Sequence, residues 1–453
     1  MNLERLREKV IEEYYPSDSD LEKIRKKYQE ISSFIQDEFG VETHFAGSAG
    51  RETCMNGDND IDVFVLFDEE IKKKDLENRG LDIGKKVFSH FDADYRIEYA
   101  EHPYTKGKID GHEVEIVPCY DTSPENIKSS VDRTPHHSRW VDQSLDKEQR
   151  KDVVMLKRFL SANDIYGSSL KVRGFSGYLC EILIKHFGSF EELVNKAPDW
   201  PEKPVIDTEN HHEGELPEKL EKKFSDESLI VIDPVDPERN VGSVLSKENF
   251  SKFMFICWKF RKNPGMRFFG EDETEYTQFQ IKQEIKKRAD FLVLEFETPS
   301  EVDDIVYPQM RKTLDRLEKL LEKHEFRIFN SGFHIDGSAR IFFELELSLP
   351  EVQEVKGPKI FHGIEHLQQF SSKYDNVYVK EDRVVARTER EYSEARELLK
   401  DFLEDNLEEK GIPSHIAEKM EDYGFTDPAT NDRKWLNYLG KKFHVEDNQR
   451  GEK

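Results

Sequence analysis

Two aspartates separated by one residue carry the clearest chemical signal in this sequence. Asp60 and Asp62 open an apolar run that extends to Phe67, which predicts a β-strand. Because successive side chains of a strand point to opposite faces, the two carboxylates project to the same side. Like charges this close are unfavourable unless a cation lies between them, and oxygen ligands suit Mg²⁺. We therefore predict a divalent-metal site at Asp60 and Asp62.

A glycine–serine pair precedes this strand by a short polar segment. Gly47 allows the backbone to approach phosphate oxygens closely, while the backbone amides and the Ser48 hydroxyl offer hydrogen-bond donors. Arg51 adds a cation for charge-assisted hydrogen bonds. Each feature alone is common in structural turns and strands. In this order and spacing they indicate a site for a nucleoside triphosphate and its metal.

A third carboxylate is expected, because two-metal phosphoryl transfer also needs a ligand for the ion that activates the attacking hydroxyl. The short predicted strand around Val114 carries Glu113 and Glu115, both on one face. Strand periodicity alone does not choose between them.

These residues need a scaffold that the apolar periodicity outlines. The first 40 residues have helical spacing, and short strands with a helix near residues 81–91 follow from Thr43, which predicts a mixed sheet with helices on it. Residues 150–190 return to helical spacing and predict a second, helical domain. Residues 201–228 are rich in Pro, Glu, Asp and Lys, and predict a long solvated excursion before a strand at 229–232.

The C-terminal third has its own pattern of elements. It predicts, in order, a strand at 291–296, a helix at 307–324, strands at 326–333 and 340–347, a helix at 363–374 and a strand at 377–380. The order βαββαβ is the ferredoxin-like arrangement. Residues after 390 are predicted to be helical and highly charged, with a polar end.

Composition excludes several classes of protein. A chain of 453 residues predicts several domains, and no apolar run is long enough to span a bilayer. The sequence begins without the apolar region of a signal peptide, so we expect a cytoplasmic protein with no membrane partner. The four cysteines form no C-x-x-C pair, which argues against a zinc site. A net charge of −26 requires that any nucleic-acid contacts come from locally clustered Lys and Arg.

The motifs together resemble the polymerase-β-like nucleotidyltransferase superfamily. Further stretches narrow the resemblance to the archaeal-type (class I) tRNA CCA-adding enzymes: residues 100–104 (AEHPY), 117–120 (VPCY), 131–135 (VDRTP), 171–179 (KVRGFSGYL), 233–236 (DPVD) and 239–241 (RNV). The resemblance is close over residues 40–250 and is mainly one of layout beyond them.

The resemblance implies a multidomain α+β fold. Its expected parts are a polymerase-β-like nucleotidyltransferase head (residues 1–145), a helical central domain that binds nucleotide and RNA (146–285), a ferredoxin-like RNA-binding domain (286–382) and a charged helical tail region (383–453). The implied activity is template-independent addition of CCA to the 3′ end of tRNA from CTP and ATP, with release of pyrophosphate. The implied cofactors are two Mg²⁺ ions, with Mn²⁺ as an alternative. The expected partners are the tRNA acceptor stem, ATP and CTP, and a homodimer is compatible with the resemblance.

The resemblance also implies roles for particular residues. It assigns the third metal ligand to Glu115 rather than Glu113, although the family has Asp at this place. It implies that the incoming triphosphate and ribose are held by Thr134, His137, Lys157 and Tyr166, in addition to Gly47, Ser48 and Arg51, and that Arg239 reads the base edge. The chain departs from the family at Gly50, where the pattern has Ala, and at Ala49, where it has an aromatic residue.

Two alternatives remain open on the sequence. A poly(A) polymerase or an oligoadenylate synthetase shares the Gly-Ser and D-x-D motifs, and differs in product length and base choice. A non-catalytic RNA-binding protein on the same scaffold is the alternative from another class, which Glu115 in place of Asp leaves open. RNA contacts are expected from the C-terminal region, by shape, and from a basic cluster that comprises Lys259, Arg261, Lys262 and Arg267 beside Trp258, Phe260 and Phe268.

Overall fold

The computed structural model describes residues 3–99, 101–270 and 274–444. Ala100, quoted in one family stretch, and residues 445–453 of the predicted tail lie outside the described residues. The chain divides into two compact units, Met1–Asp272 and Glu273–Lys453. Within the described ranges, no helix combines the length and the apolar character needed to cross a bilayer.

A five-stranded mixed sheet forms the first part of unit 1. Its strands are β1 (Thr43–Ala46), β2 (Asp60–Asp68), β3 (Tyr95–Tyr99), β4 (Pro103–Ile109) and β5 (His112–Asp121), in the spatial order β1-β2-β5-β4-β3. Only the central pair, β2 and β5, is parallel, and the other neighbours are antiparallel. The predicted mixed sheet is therefore confirmed, although β4 was not recognised in the sequence.

Ten α-helices belong to the described part of unit 1. They are α1 (Leu3–Tyr14), α2 (Asp18–Phe39), α3 (Gly47–Gly50), α4 (Lys73–His90), α5 (Arg133–Ser144), α6 (Lys147–Ser161), α7 (Gly177–Phe187), α8 (Phe190–Lys196), α9 (Glu218–Lys223) and α10 (Lys247–Lys262). The expected N-terminal helix is two helices, because Pro16 disfavours continuation and Ser17 caps α2 through the Asp20 amide. The helical region from about residue 150 is confirmed by α6, α7 and α8.

The predicted solvated excursion contains regular structure. Strand β6 (Val205–Ile206) lies within it and pairs in parallel with β7 (Ile230–Val231), and α9 buries Leu220. The excursion is therefore anchored at several points, which its polar composition did not indicate.

Unit 2 contains the ferredoxin-like sheet. Its strands are β8 (Asp290–Glu297), β9 (Ile328–Asp336), β10 (Ser338–Leu345) and, much later in the chain, a short strand at Gly424–Thr426. Across the sheet, the strand Gly424–Thr426 lies at one edge and is followed by β8, β10 and β9, and all neighbouring strands are antiparallel. This is the order of a βαββαβ fold, so the predicted arrangement is confirmed.

A helix and a strand form where the second helix and fourth strand of this motif were predicted, but their assignment to the motif was wrong. Strands β11 (Val352–Lys359), β12 (Val377–Lys380) and β13 (Arg383–Glu389) form a separate three-stranded sheet with the helix α13 (Ile364–Lys373). The ferredoxin-like motif is completed by α14 (Ala395–Leu403), α15 (Ser414–Met420) and β14 (Gly424–Thr426), which lie in the region expected to be a helical tail. The three-stranded sheet is thus inserted between the two halves of the motif.

Both faces of the ferredoxin-like sheet are covered. On one face, Leu292 and Leu294 join a core with α12 (Asp303–Lys323), α14 and α15. On the other, Val293 and Phe342 pack with α11 (Gln278–Ile285) and α16 (Arg433–Lys442), including the buried Trp435. The prediction placed residues 278–285 in the central domain, whereas α11 contacts α16 in unit 2. The sheet consequently offers no open face on which bases could stack.

Trp435 provides a test of this packing. It is fully buried, and its indole N–H donates to the Pro428 carbonyl at 2.8 Å. Trp435→Ala should destabilise unit 2 by about 3–5 kcal/mol. The matched control Phe279→Ala removes a ring that is 70% exposed and should change stability by less than about 0.5 kcal/mol. Chemical denaturation followed by circular dichroism measures both, and equal midpoints for the two variants would contradict the assignment of α16 to the core.

Candidate active site

Four acidic side chains lie on one face of the central parallel pair. In the register of β2 and β5, Asp60 lies opposite Glu113 and Asp62 lies opposite Glu115. Paired residues of adjacent strands share a face, and residues two apart along a strand also share it. The opposite face is fully buried and consists of Ile61, Val63, Val114 and Ile116. The carboxylates are thus held together by strands whose other side is fixed in the core.

Their proximity perturbs ionisation. Burial, followed by the charges of Glu115 and Asp60, raises the pKa of Asp62 to about 6. Burial and the charge of Asp58 also raise the pKa of Asp60. Asp62 therefore senses Glu115 directly, and a cation between these groups would relieve the repulsion.

A lysine from the next strand compensates part of this charge. Lys106 on β4 is in register with Glu115, and its Nζ lies 2.6 Å from Glu115 Oε1. As the side chains stand, the described residues include no group of three His, Cys, Asp or Glu arranged to hold a metal ion. The ion pair with Lys106 engages one oxygen of Glu115.

Gly47 brings backbone directly against Asp62. Its φ of +68° is in the left-handed region, and a Cβ built on it would lie 1.7 Å from Asp62 Oδ2. Only glycine tolerates both this backbone conformation and so close an approach to the Asp62 side chain. Ser48 follows in the short helix α3, and its carbonyl accepts a hydrogen bond from the Thr53 amide at 2.9 Å. The loop that carries the predicted phosphate-binding pair is therefore closed on itself beside the carboxylates.

A buried charged network lies under this loop. Arg51 Nε donates to Glu181 Oε1 at 3.0 Å, and Lys157 Nζ donates to the Thr53 carbonyl at 2.7 Å. Lys157 is only 1% exposed. Burial alone would raise the pKa of Glu181, but Arg51 and Lys157 outweigh it and hold that pKa low. In this arrangement Lys157 supports the loop backbone and makes no contact with open solvent.

The Tyr166 hydroxyl lies beside this network. A Cβ on Gly177, at the start of α7, would lie 3.3 Å from Tyr166 Oη and 3.4 Å from Lys157 Nζ. The absence of a side chain at Gly177 thus makes room for both groups.

A second cluster is centred on Asp233, which is fully buried. Its Oδ2 lies 3.0 Å from His137 Nε2 and accepts a hydrogen bond from Arg239 Nη1 at 2.7 Å, while its Oδ1 accepts from the Tyr178 hydroxyl at 3.2 Å. Burial opposes ionisation of Asp233, but the hydrogen bond with His137 and the charge of Arg239 keep its pKa at about 2. The His137 and Tyr178 rings stack with centroids 3.9 Å apart. Asp233 thereby fixes both His137 and Arg239.

Arg51 connects the two clusters with the carboxylates. Its guanidinium interacts with the charge of Asp62, and its Nη1 donates to Ser138 Oγ at 3.4 Å. The Ser138 hydroxyl in turn donates to the Thr134 carbonyl at 3.1 Å on α5. All the residues that the sequence singled out as site residues lie in unit 1, and Arg51 is the link among their groups.

Two histidines of the excursion brace the turn that carries Arg239. His211 Nε2 lies 3.0 Å from the Pro234 carbonyl, and His212 Nε2 lies 2.9 Å from the Pro237 carbonyl. Local sequence patterns carry no signal for this contact, because the partners are more than twenty residues away. Asp233 and Tyr178 were quoted as family residues without a role, and Glu181 and Thr53 were not singled out as site residues.

Comparisons with known proteins agree with this geometry. Family models match in succession the nucleotidyltransferase domain (residues 17–137), the second domain of tRNA nucleotidyltransferase (151–270) and the C-terminal domain of the CCA-adding enzyme (288–425). The CCA-adding enzyme of Methanocaldococcus jannaschii is 39% identical over 428 residues, which cover 92% of this chain and 94% of that protein. The CCA-adding enzyme of Archaeoglobus fulgidus is 38% identical over 378 residues, which cover 82% of this chain and 83% of that protein. The chain belongs to the CCA-adding enzyme family.

Membership of this family confirms the predicted nucleotidyltransferase head, the multidomain α+β fold and the enzymatic class. The family model for the C-terminal domain ends at residue 425, within β14, which agrees with the corrected ferredoxin-like motif. A solved structure of the RNA terminal uridylyl transferase Cid1 covers 59% of this chain and 97% of its own, at 12% identity and a TM-score of 0.48. That likeness is too distant to add to the argument.

Gly47 gives a sharp test of the site in this chain. Gly47→Ala places a methyl group on Asp62 and should lower nucleotide incorporation by about 100-fold or more, since displacing a reacting group by about 1 Å has that effect. Gly40→Ala is the matched control, because its φ of +63° imposes similar strain but nothing lies within 4 Å of the new Cβ. Gly40→Ala should lose about 1–2 kcal/mol of stability and keep its activity. Comparable activity in the two variants would show that the contact with Asp62 is not needed.

Proposed function

We propose that the chain adds C, C and A to the 3′ end of tRNA from CTP and ATP, at a site formed by Asp60, Asp62 and Glu115. The observation that carries this proposal is the register of β2 and β5, which sets Asp62 beside Glu115. Burial and the charge of Glu115 raise the pKa of Asp62 there. Glu113 lies opposite Asp60, one step further from Asp62, so the geometry favours Glu115 as the third carboxylate.

The donor set fits divalent cations. It contains only carboxylate oxygens, which Mg²⁺ prefers and Mn²⁺ also accepts. Asp60 and Asp62 would hold two ions, with Glu115 completing one of the two coordination shells through the oxygen that Lys106 leaves unused. When bound, such ions lower the pKa of the attacking 3′-hydroxyl and stabilise the charge of the departing pyrophosphate.

The protein's own groups then position the nucleotide. The backbone amides of Gly47 and Ser48 face the triphosphate, and Arg51 places a fixed cation behind them. Lys157 contributes its charge from beneath the loop that ends at Thr53. Its Nζ is held there by a hydrogen bond to the Thr53 carbonyl. Catalysis in this proposal is positioning and electrostatic stabilisation, and no covalent protein intermediate is required.

The base and ribose would meet the Asp233 cluster. Asp233 holds the Arg239 guanidinium at 2.7 Å, so a planar set of donors has a fixed direction for reading the edge of C or A. Thr134, His137 and Tyr166 are the proposed contacts of the triphosphate and ribose. Because the ferredoxin-like sheet has both faces covered, unit 2 would recognise the acceptor stem by phosphate and 2′-hydroxyl contacts rather than by stacking.

The direct test uses a tRNA that lacks its 3′ CCA. Purified protein is incubated with this tRNA, Mg²⁺ and labelled CTP or ATP, and the products are resolved at single-nucleotide length. We expect two C residues and one A, followed by arrest. An unbounded A tail would indicate a poly(A) polymerase, and no extension over a range of salt would indicate a binding-only protein.

Paired substitutions test the third ligand. Glu115→Gln should reduce turnover by about 100-fold or more, as should Asp62→Ala, because each removes a charge that the cations need. Glu113→Gln is the matched control on the same strand face and should retain most of the wild-type rate. The rate of single-turnover incorporation is measured for all three variants. A lower rate for Glu113→Gln than for Glu115→Gln would contradict the assignment of Glu115 as the third ligand.

A further inference from the structure

Helix α10 carries an exposed stripe that the proposed chemistry does not use. Phe255, Trp258, Lys259 and Lys262 are spaced i, i+3, i+4 and i+7, so they lie on one face of the helix. Phe255 is 53% exposed and Trp258 is 38% exposed. The other side of α10 is buried in the core of unit 1 through Phe250, Phe253, Cys257 and Phe260. The helix is therefore well packed, and the exposed rings form a second apolar face.

The two rings and the two lysines form one ordered array, called here the aromatic–lysine stripe. The rings of Phe255 and Trp258 are nearly parallel, with centroids 5.6 Å apart. Lys259 Nζ lies 4.5 Å from the Phe255 centroid, and Lys262 Nζ lies 4.0 Å from the Trp258 centroid. Cation–π contacts of this kind restrict the ammonium groups to defined positions. The stripe thus presents two preorganised positive charges.

These charges are not neutralised by neighbouring acids. Among the described residues, neither Lys259 nor Lys262 has a carboxylate partner, whereas Arg261 on the same helix pairs with Asp199 at 2.9 Å. The surrounding sequence is also free of acid: residues 249–270 contain Lys252, Lys259, Arg261, Lys262 and Arg267 but no Asp or Glu, in a chain with 94 acidic residues out of 453. A basic segment in so acidic a protein indicates an anionic partner.

We propose that the aromatic–lysine stripe is a docking surface for the sugar–phosphate backbone of the tRNA. This inference rests on the proposed function, because it names where that RNA is held outside the catalytic site. Phosphates supply the negative charge that the two ammonium groups lack, and aromatic side chains next to cations suit sugar and base edges. A symmetric contact with a second copy would set like charges against each other, which disfavours that occupant.

The experiment measures tRNA affinity at several salt concentrations, without nucleotide. The double variant Lys259→Gln/Lys262→Gln should reduce the magnitude of the slope of log K against log salt by about two, because each lost phosphate contact removes about one unit. Lys9→Gln/Lys26→Gln is the matched control. It removes the same charge from exposed lysines of α1 and α2 and should leave the slope unchanged.

Steady-state incorporation of CTP provides a second readout. The stripe variant should raise KM for tRNA and leave kcat at saturating tRNA unchanged, because the catalytic residues are intact. Trp258→Ala should also weaken tRNA binding, and Trp258→Phe should restore much of it, since a ring under Lys262 is retained.

Equal salt slopes for the stripe variant and its control would overturn the inference. A shift of the variant's sedimentation coefficient away from that of the wild type would also overturn it, since it would assign the stripe to an interface between copies. Failure of the proposed function gives a different result from these two outcomes, because the wild-type protein would then extend no tRNA. The comparison of salt slopes would still test whether the stripe binds tRNA.

Discussion

Repulsion among the carboxylates of β2 and β5 is the constraint on which the site depends. Burial, followed by the charges of Glu115 and Asp60, raises the pKa of Asp62 to about 6, so keeping these carboxylates ionised together costs free energy. The sheet tolerates this because the reverse face of both strands is fully buried and fixes their register. Lys106 supplies a partial counter-charge from the neighbouring strand. In the proposed function, a divalent cation bound between these carboxylates would relieve that repulsion.

The second requirement is that the loop before β2 stays fixed against those carboxylates. Gly47 removes the Cβ that would strike Asp62, and the Arg51–Glu181 pair ties the end of the loop to α7. A buried ion pair contributes little net stability, but removing one partner strands the other charge in the core. We infer that this network maintains position more than stability, because it joins the loop of Gly47 and Ser48 to the helix that carries Tyr178 and hence to Asp233.

Local sequence patterns predicted the parts of the site that lie on single strands. The alternation that places Asp60 and Asp62 on one face needs no tertiary information. The choice between Glu113 and Glu115 depends on strand register, and the contact of His137 with Asp233 joins residues 96 apart. Neither is encoded in local periodicity. The ferredoxin-like motif shows the same limit, because its last strand is only Gly424–Thr426, whereas the longer strand β12 in the inserted sheet has a stronger apolar pattern.

Two of the departures from the family pattern, Gly50 and Glu115, have local structural reasons. A Cβ on Gly50 would lie 2.5 Å from the Phe45 carbonyl oxygen, so alanine there would push β1 away, and the Phe45 ring is held by stacking on Tyr28 at 4.4 Å. Glu115 has one methylene more than Asp, and that length is taken up by its ion pair with Lys106 while the other carboxylate oxygen stays available. Replacing Asp62 with a neutral residue would relieve the repulsion among these carboxylates, but it would also remove a charge that the proposed cations need. Four acidic side chains remain on this face of β2 and β5, and the contacts of Gly50 and Lys106 adjust the packing that positions them.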